Sequence, residues 1–236
     1  MAHMNEKASQ EQVSQMFNAI SFSYDRINRV LSFGIDRLWR RKLSKHLPDG
    51  NHLRLLDLAT GTCDQLLSLM RTGKIAHATG IDLAQEMLKI GEQKVSKSSY
   101  GEKVDLKVAS ASDIPAEEGS YDCVTISFGI RNVKGPCLEE MHRVLSPGGR
   151  ALILEFSLPK NRLIKWLHLF YLRKVLPAVG GAISGKRDAY RYLNETIEAF
   201  PYGEAFLSRM KKAGFVHLRA LPLTFGVANI YIGEKE

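Results

Sequence analysis

Two acidic residues and a turn of small residues carry the first chemical signal in this chain. Leu55-Leu56-Asp57-Leu58 reads as a buried strand and runs into Ala59-Thr60-Gly61-Thr62-Cys63-Asp64 before a helical pattern opens at Gln65. Strand, tight turn and helix N-terminus in that order present backbone N–H groups and the positive end of a helix dipole to a nucleotide-type ligand. Gly61 lets the backbone approach that ligand closely. A second strand, Ala78-Thr79-Gly80-Ile81, ends at Asp82, about the spacing at which such folds set a carboxylate on ribose hydroxyls. The turn is not a full G-x-G-x-x-G, because Ala59 and Cys63 stand where glycines are usual. That departure disfavours a dinucleotide and suits S-adenosylmethionine (SAM), which has no pyrophosphate to cradle.

Two further stretches place polar groups at strand ends. Ser110, Ser112 and Asp113 follow the alternating run 104–109 and can donate and accept against an adenine edge. The apolar run 121–128 ends in Ser127-Phe128-Gly129-Ile130-Arg131-Asn132-Val133. Ligands of open parallel sheets bind at the carboxyl ends of strands, so Arg131 and Asn132 sit at the edge where chemistry occurs.

Strands at 53–58, 77–82, 104–109, 121–128 and 150–156 alternate with helices at 64–72, 85–97 and 138–145. Segments 214–221 and 225–232 close the chain as a strand pair. This pattern predicts an α/β fold, a doubly wound, Rossmann-like seven-stranded sheet with an antiparallel edge. Right-handed crossovers put the first-half loops along one rim. Val13, Met16, Phe17 and Ile20 recur at helical spacing ahead of the first strand, so residues 5–50 read as a helical cap of two or three short helices. Residues 157–203 break the alternation as a helical insertion in the domain at 51–236. Within it Gly180-Gly181 and Gly185 mark mobile or tight backbone. Met1-Ala2-His3-Met4 reads as a vector-derived remnant.

Length, at 236 residues, suits one sizeable domain with additions. Cys63, Cys123 and Cys137 show neither metal-ligand spacing nor a disulfide framework, which predicts no metal site and a reducing, cytoplasmic setting. No apolar run reaches transmembrane length, and no signal peptide is visible. The net charge of +8 fits a nucleic acid, an anionic membrane surface or an acidic substrate, and does not choose among them.

Four stretches make the chain resemble the ubiquinone/menaquinone biosynthesis C-methyltransferases, within the class I SAM-dependent methyltransferases. They are Tyr24-Asp25-Arg26-Ile27-Asn28-Arg29-Val30-Leu31-Ser32 with Trp39; Phe128-Gly129-Ile130-Arg131-Asn132-Val133; Arg143-Val144-Leu145-Ser146-Pro147-Gly148-Gly149 leading to Glu155-Phe156-Ser157; and Tyr190-Arg191-Tyr192-Leu193 running to Ile197 and Phe200-Pro201. The resemblance covers the chain from about residue 12. Ile27 stands where the family usually has Met, Ser146 where it has Lys, and Asp36 where it has His. The last departure puts the family's handling of its quinol in question.

The resemblance implies SAM contacts at Gly61, Thr62, Asp82, Ser110, Ala111 and Ser127, and catalytic positions at Tyr24, Arg131 and Asn132 beside an aromatic substrate. It implies a polyprenyl quinol acceptor, demethylmenaquinol or the ubiquinol-precursor equivalent, no nucleic-acid partner, and leaves a homodimer open. Methyl transfer to carbon needs a nucleophilic ring carbon, which a phenol provides once ionised. A free phenol ionises near pH 10, so a guanidinium beside the oxygen helps. Arg131 is the candidate for that role, with Tyr24 and Asn132 for hydrogen bonding. Methylation of RNA or of another small aromatic is the alternative, although no appended RNA-binding module is visible. The incomplete glycine turn disfavours an NAD-dependent dehydrogenase, and Arg131 with Asn132 disfavours an inactive SAM-binding scaffold.

A polyprenyl acceptor lives in a bilayer, and residues 162–176 carry the features of an interfacial helix. Leu163, Trp166, Leu167, Phe170 and Tyr171 form an apolar face, flanked by Arg162, Lys165 and Arg173. The expectation is peripheral contact with the inner face of the membrane.

Overall fold

The computed structural model describes residues 10–236, so the remnant at 1–4 and the start of the predicted cap lie outside the described residues. Seven strands form one sheet: β1 (Leu53–Leu58), β2 (Ile75–Asp82), β3 (Val104–Val108), β4 (Tyr121–Ser127), β5 (Leu145–Phe156), β6 (Val216–Leu223) and β7 (Ala228–Glu234). Their order is β3-β2-β1-β4-β5-β7-β6. The first five run parallel, and β7 is antiparallel to both β5 and β6. The antiparallel strand is therefore not the edge. It is inserted between β5 and β6, because the short link after β6 returns the chain into the open side of β5.

Alternation along the strands explains the two-sided burial. Leu55 faces one core with Leu66, Leu69 and Ile230, whereas Leu56 and Leu58 face the other with Val124, Ile126 and Met141. Strand order reverses between β2-β1 and β4, which opens a crevice above β1 where parallel sheets bind ligands. Helices α3 (Asp64–Met70) and α4 (Gln85–Ser96) start at that rim.

The N-terminal cap differs from expectation. One 22-residue helix, α1 (Gln10–Leu31), replaces several short ones. Val13, Ile20 and Ile27, seven residues apart, keep one buried stripe unbroken through polar intervals. The chain then turns through Phe33 and Gly34, both left-handed (φ 51° and 74°), into α2 (Ile35–Ser44). Strand β5 begins at Leu145 and not at 150. Leu145 pairs with Tyr121, and a register shift before Arg150 absorbs Ser146-Pro147-Gly148-Gly149.

In the insertion, α6 (Arg162–Phe170) continues through a wide π-helical turn (Tyr171–Val175) into α7 (Leu176–Ser184), followed by α8 (Arg187–Ala199). Gly180-Gly181 are helical, contrary to the mobile or tight backbone expected. A Cβ on Gly180 would stand 2.7 Å from the ring of Tyr190, so the glycine lets α7 approach α8. Helices α1, α7 and α8 share a third core around Ile20, Ile27, Leu176, Tyr190 and Ile197. Cap and insertion thus close over the sheet rim together. Helices α5 (Cys137–Val144) and α9 (Glu204–Lys212) complete the outer layers.

Close approach of α4 to the turn rests on Gly91. An added Cβ there would lie 2.5 Å from Cys63 Sγ and 3.3 Å from the Gly61 carbonyl oxygen. Gly91→Ala is expected to lower stability by about 1–3 kcal/mol through overpacking. Cys63→Ala in the same chain should recover most of that loss. Urea denaturation of the single and double variants checks the coupling; additive losses would show that the sulfur is not the obstacle.

Candidate active site

Asp57 anchors the turn from inside the sheet. Its carboxylate is buried and accepts from Thr60 Oγ1 at 2.7 Å and Thr125 Oγ1 at 2.5 Å. Burial pushes it up to about 6, against the pull of the two hydroxyls. The turn that follows is left-handed at Ala59 (φ 46°), Gly61 (φ 55°) and Cys63 (φ 64°). Ala59 and Cys63, the two departures from the glycine pattern, hold the conformation that glycines hold at no steric cost.

Asp82, at the end of β2, reaches back over this turn. Its Oδ2 accepts from the Gly61 N–H at 2.8 Å, and its Oδ1 from the Ala84 N–H at 2.8 Å. Burial raises its pKa against those backbone donors. Each oxygen keeps a lone pair for a hydroxyl. Asp82 and Gly61 border a cavity of about 690 Å³. Leu83, Met87, Ala109 and Ala111 give it an apolar lining, and Ser127, Phe128 and Asn132 also border it. Residues of α1, Val13, Phe17 and Tyr24 among them, roof it.

A second cavity, of about 1280 Å³, lies between α1, α2, the insertion and the tips of β4 and β5. Its walls are mostly aromatic and aliphatic, with Trp39, Phe156, Tyr171, Tyr190 and Leu176 prominent. Phe17, Tyr24 and Phe128 border both cavities, so the two meet there. Phe128 holds a left-handed backbone (φ 58°) at this junction.

The expected site residues divide. Gly61, Asp82, Ala111 and Ser127 border the smaller cavity, and Ser127 Oγ donates to Gln65 Oε1 at 3.2 Å. Thr62 is turned elsewhere: its hydroxyl donates to Asp25 Oδ1 at 2.6 Å and accepts from Lys94 at 3.0 Å. Ser110 is engaged with Ser112 at 2.8 Å, and its neighbours Ala109 and Ala111 form the wall. Asn132 borders the smaller cavity and accepts from the Tyr192 hydroxyl at 3.3 Å. Tyr24 stands at the junction, its phenol raised by burial against Arg40, Asn28 and Arg131. Arg131 borders the larger cavity, but its Nη1 bonds Glu155 Oε1 at 2.7 Å and the Phe128 carbonyl at 2.5 Å. Asp36 is buried and takes Arg29 on both oxygens at 2.8 and 2.7 Å, plus the Ser32 hydroxyl at 2.8 Å.

Three participants escaped the sequence reading. Lys94 ties α4 to Asp25 of α1 at 2.5 Å and to Asp64 at 2.7 Å. Burial alone raises the Asp64 carboxyl, yet Lys94, Arg40 and Arg29 together outweigh it and hold the group below its usual range. Glu155, fully buried, partners Arg131; the sequence placed it in a stretch that carries the family resemblance but gave it no role. Gln65, next to Ser127, leaves a buried amide nitrogen without an acceptor, a donor suited to a carboxylate. A carboxylate at Asp82 with unused lone pairs, beside an apolar lining in the same cavity, is chemistry that fits SAM.

A parallel sheet with β7 inserted, and a cavity of this make-up over its switch point, define a class I SAM-dependent methyltransferase. Solved structures share the fold: a SAM-dependent methyltransferase of Thermotoga maritima aligns at TM-score 0.65 with 18% identity, over 95% of this chain and 100% of that one. A phospholethanolamine N-methyltransferase 2 of Haemonchus contortus, solved with S-adenosylhomocysteine, aligns at 0.68 with 16% identity, over 97% and 60%. The profile of the ubiE/COQ5 methyltransferase family matches residues 4–235, and the chain belongs to that family. It is 47% identical over 231 residues to a ubiquinone/menaquinone biosynthesis C-methyltransferase of Geotalea daltonii, spanning 95% of this chain and 97% of the relative. It is 43% identical over 222 residues to a demethylmenaquinone methyltransferase of Thermus thermophilus, spanning 93% and 100%.

If Asp82 accepts from the ribose hydroxyls, as its position at the cavity suggests, that charged hydrogen-bonding group is worth about 1.5–3 kcal/mol. Asp82→Ala is therefore expected to weaken SAM binding about ten- to a hundredfold by calorimetry. Unchanged affinity would take Asp82 out of the site.

Proposed function

We propose that this chain moves the methyl group of SAM to a ring carbon of a reduced polyprenyl quinone precursor, demethylmenaquinol or the ubiquinol-precursor equivalent. The observation that carries this reading is the shared wall of Phe17, Tyr24 and Phe128, where the smaller cavity adjoins a larger, aromatic-lined one. The names of the relatives point the same way. SAM, when bound, supplies a methyl group that is already electrophilic. Gly61 and Asp82 hold the nucleoside, with Ala111 and Ser127 on the cavity walls, while Thr62 and Ser110 act through the elements they tie together. Tyr24 and Asn132 stand where they can hydrogen-bond the acceptor's oxygen. Arg131, paired with Glu155, fixes the Phe128–Asn132 loop that forms one side of the junction. Much of the rate comes from alignment in a site shielded from water.

The direct experiment incubates the protein with labelled SAM and reduced short-chain naphthoquinone and benzoquinone acceptors. Label on a ring carbon of one or both is expected. Label on oxygen, or on neither while another acceptor is methylated, would contradict the reading.

Membrane contact belongs to the same proposal. No helix among the described residues is long and apolar enough to cross a membrane. Yet Leu163, Trp166, Leu167 and Phe170 on α6 are each more than half exposed. Phe33, 83% exposed, borders the acceptor cavity, as does Tyr171, so this apolar surface continues into the cavity. Arg173 is tied to Glu198 at 2.9 Å, which leaves Arg162 and Lys165 as the basic flank. A lipid surface suits a face of this kind beside a cavity for a prenylated acceptor, and each basic residue adds about 1 kcal/mol near an anionic leaflet. Weak, salt-sensitive binding to anionic vesicles is expected, reduced by Trp166→Ala with Lys165→Glu and with SAM affinity unchanged. Methylation of a long-tail quinol in vesicles that the protein does not bind at low salt would refute it.

A further inference from the structure

The acceptor cavity needs a positive charge, and the ion pairs around it decide which group supplies one. Three side chains of formal charge border this cavity: Asp36, Arg40 and Arg131. Asp36 is ion-paired with Arg29, whose Nη1 bonds both of its oxygens. Arg131 is neutralised by Glu155, its partner in a buried ion pair. Arg40 has no equivalent partner: among the described residues no carboxylate is hydrogen-bonded or ion-paired to its side chain. Its Nε is buried without an acceptor, a costly arrangement in the absence of a ligand.

Its position is also suited to the chemistry. The guanidinium carbon lies 5.5 Å from the ring centroid of Phe128, which borders both cavities. Arg40 lines the larger cavity beside Tyr24 and Phe128, and its charge is felt by Tyr24, Asp57 and Asp64. Asp57 is taken up by two threonines and Asp64 by Lys94, so neither closes on Arg40. The other titratable groups facing this cavity are His168 on the insertion and the phenols of Tyr24, Tyr171, Tyr190 and Tyr192. Burial lowers His168 and raises Tyr24, Tyr192 and, to about 12, Tyr171. A phenol carries no positive charge in either state and a lowered His168 is uncharged at neutral pH, which leaves Arg40 as the net cation.

Resting on the quinol reading above, we propose that Arg40 is the catalytic residue that binds the acceptor's phenolic oxygen and holds it as the phenolate. The O–H bond of the acceptor breaks and its proton leaves to water, since an arginine keeps its own proton. The electron pair delocalises to the ortho carbon, which forms the new C–C bond as the C–S bond to the donated methyl breaks. Loss of the ring proton and return of one proton to oxygen restore the quinol, so one proton is released per transfer. Arg131 is then a positioning residue that shapes the loop.

The test is the pH dependence of turnover, measured anaerobically at saturating SAM with a reduced short-chain naphthoquinone. Arg40→Met removes the charge and keeps the length. Its kcat at pH 7 should fall about 10–100-fold and climb about tenfold per pH unit toward pH 9, as expected when an acceptor's pKa rises by one to two units. Arg40→Lys should restore most of the rate, and SAM affinity should stay within about twofold in both. A profile for Arg40→Met that superposes on the native one overturns the proposal. A direct reading uses the native protein with 4-nitro-1-naphthol, whose phenolate absorbs in the visible. The bound phenol should ionise at a pH about one to two units below that of the free compound. An unshifted or raised ionisation overturns the proposal even if Arg40 variants fail to fold. Absence of methyl transfer to any quinol by the native protein would instead sink the acceptor reading, a failure distinct from an unshifted nitronaphthol ionisation in a protein that does methylate a quinol.

Discussion

One charge network determines whether there is a site at all. Asp25 of α1 meets Thr62 of the turn and Lys94 of α4, Lys94 continues to Asp64 at the start of α3, and Arg29 runs from Asp64 to Asp36 of α2. Four helices and the SAM turn are thus joined by groups that are only partly exposed. Surface ion pairs contribute little individually, but a linked set fixes geometry more firmly than a single pair. The consequence is mechanical: α1 lies where its Phe17 and Tyr24 form the shared wall of both cavities. Without that placement the turn would bind a nucleoside at an open sheet rim, with nothing to align an acceptor.

The network also gives a role to Asp36. Where the family usually carries His, this chain has a carboxylate that Arg29 neutralises on both oxygens. The substitution keeps the cap attached through charge and removes a titratable ring from the acceptor wall. Arg131 with Glu155 repeats the arrangement on the opposite wall. Burying such pairs is expensive, and removing one partner from either would leave an uncompensated charge. Their function here is to hold loops and helices at the junction, while the chemistry falls to groups that remain available.

Much of this architecture was legible in the sequence, and the misses have common causes. The strand-turn-helix around Gly61 and the acid at Asp82 are local features, set by residues within one βαβ unit. Thr62 and Ser110 lie at the same rim, but their hydroxyls are claimed by Asp25, Lys94 and Ser112, and most of those partners come from distant sequence. Glu155 lay hidden for a similar reason, since a carboxylate inside a strand pattern reveals its partner only after the sheet has formed. Arg40 sits within Leu38-Trp39-Arg40-Arg41-Lys42, where a run of basic residues reads as a solvated helix face. Gly180 looked like a break because glycine lowers helix propensity, yet contact with Tyr190 overrides that preference. The apolar face of α6 is the opposite case: the 3.6-residue period showed the face itself, and its exposure came with the structure.

The claim on which everything else depends is that α1 forms a wall of both cavities. Amide hydrogen exchange with and without SAM measures it directly. Protection should increase across residues 10–31 on SAM binding, alongside the turn at 59–64, because α1 lies against the same cavity. Protection confined to the turn and the sheet rim, with exchange of α1 unchanged, would show that the helix is not part of the site and would contradict the account.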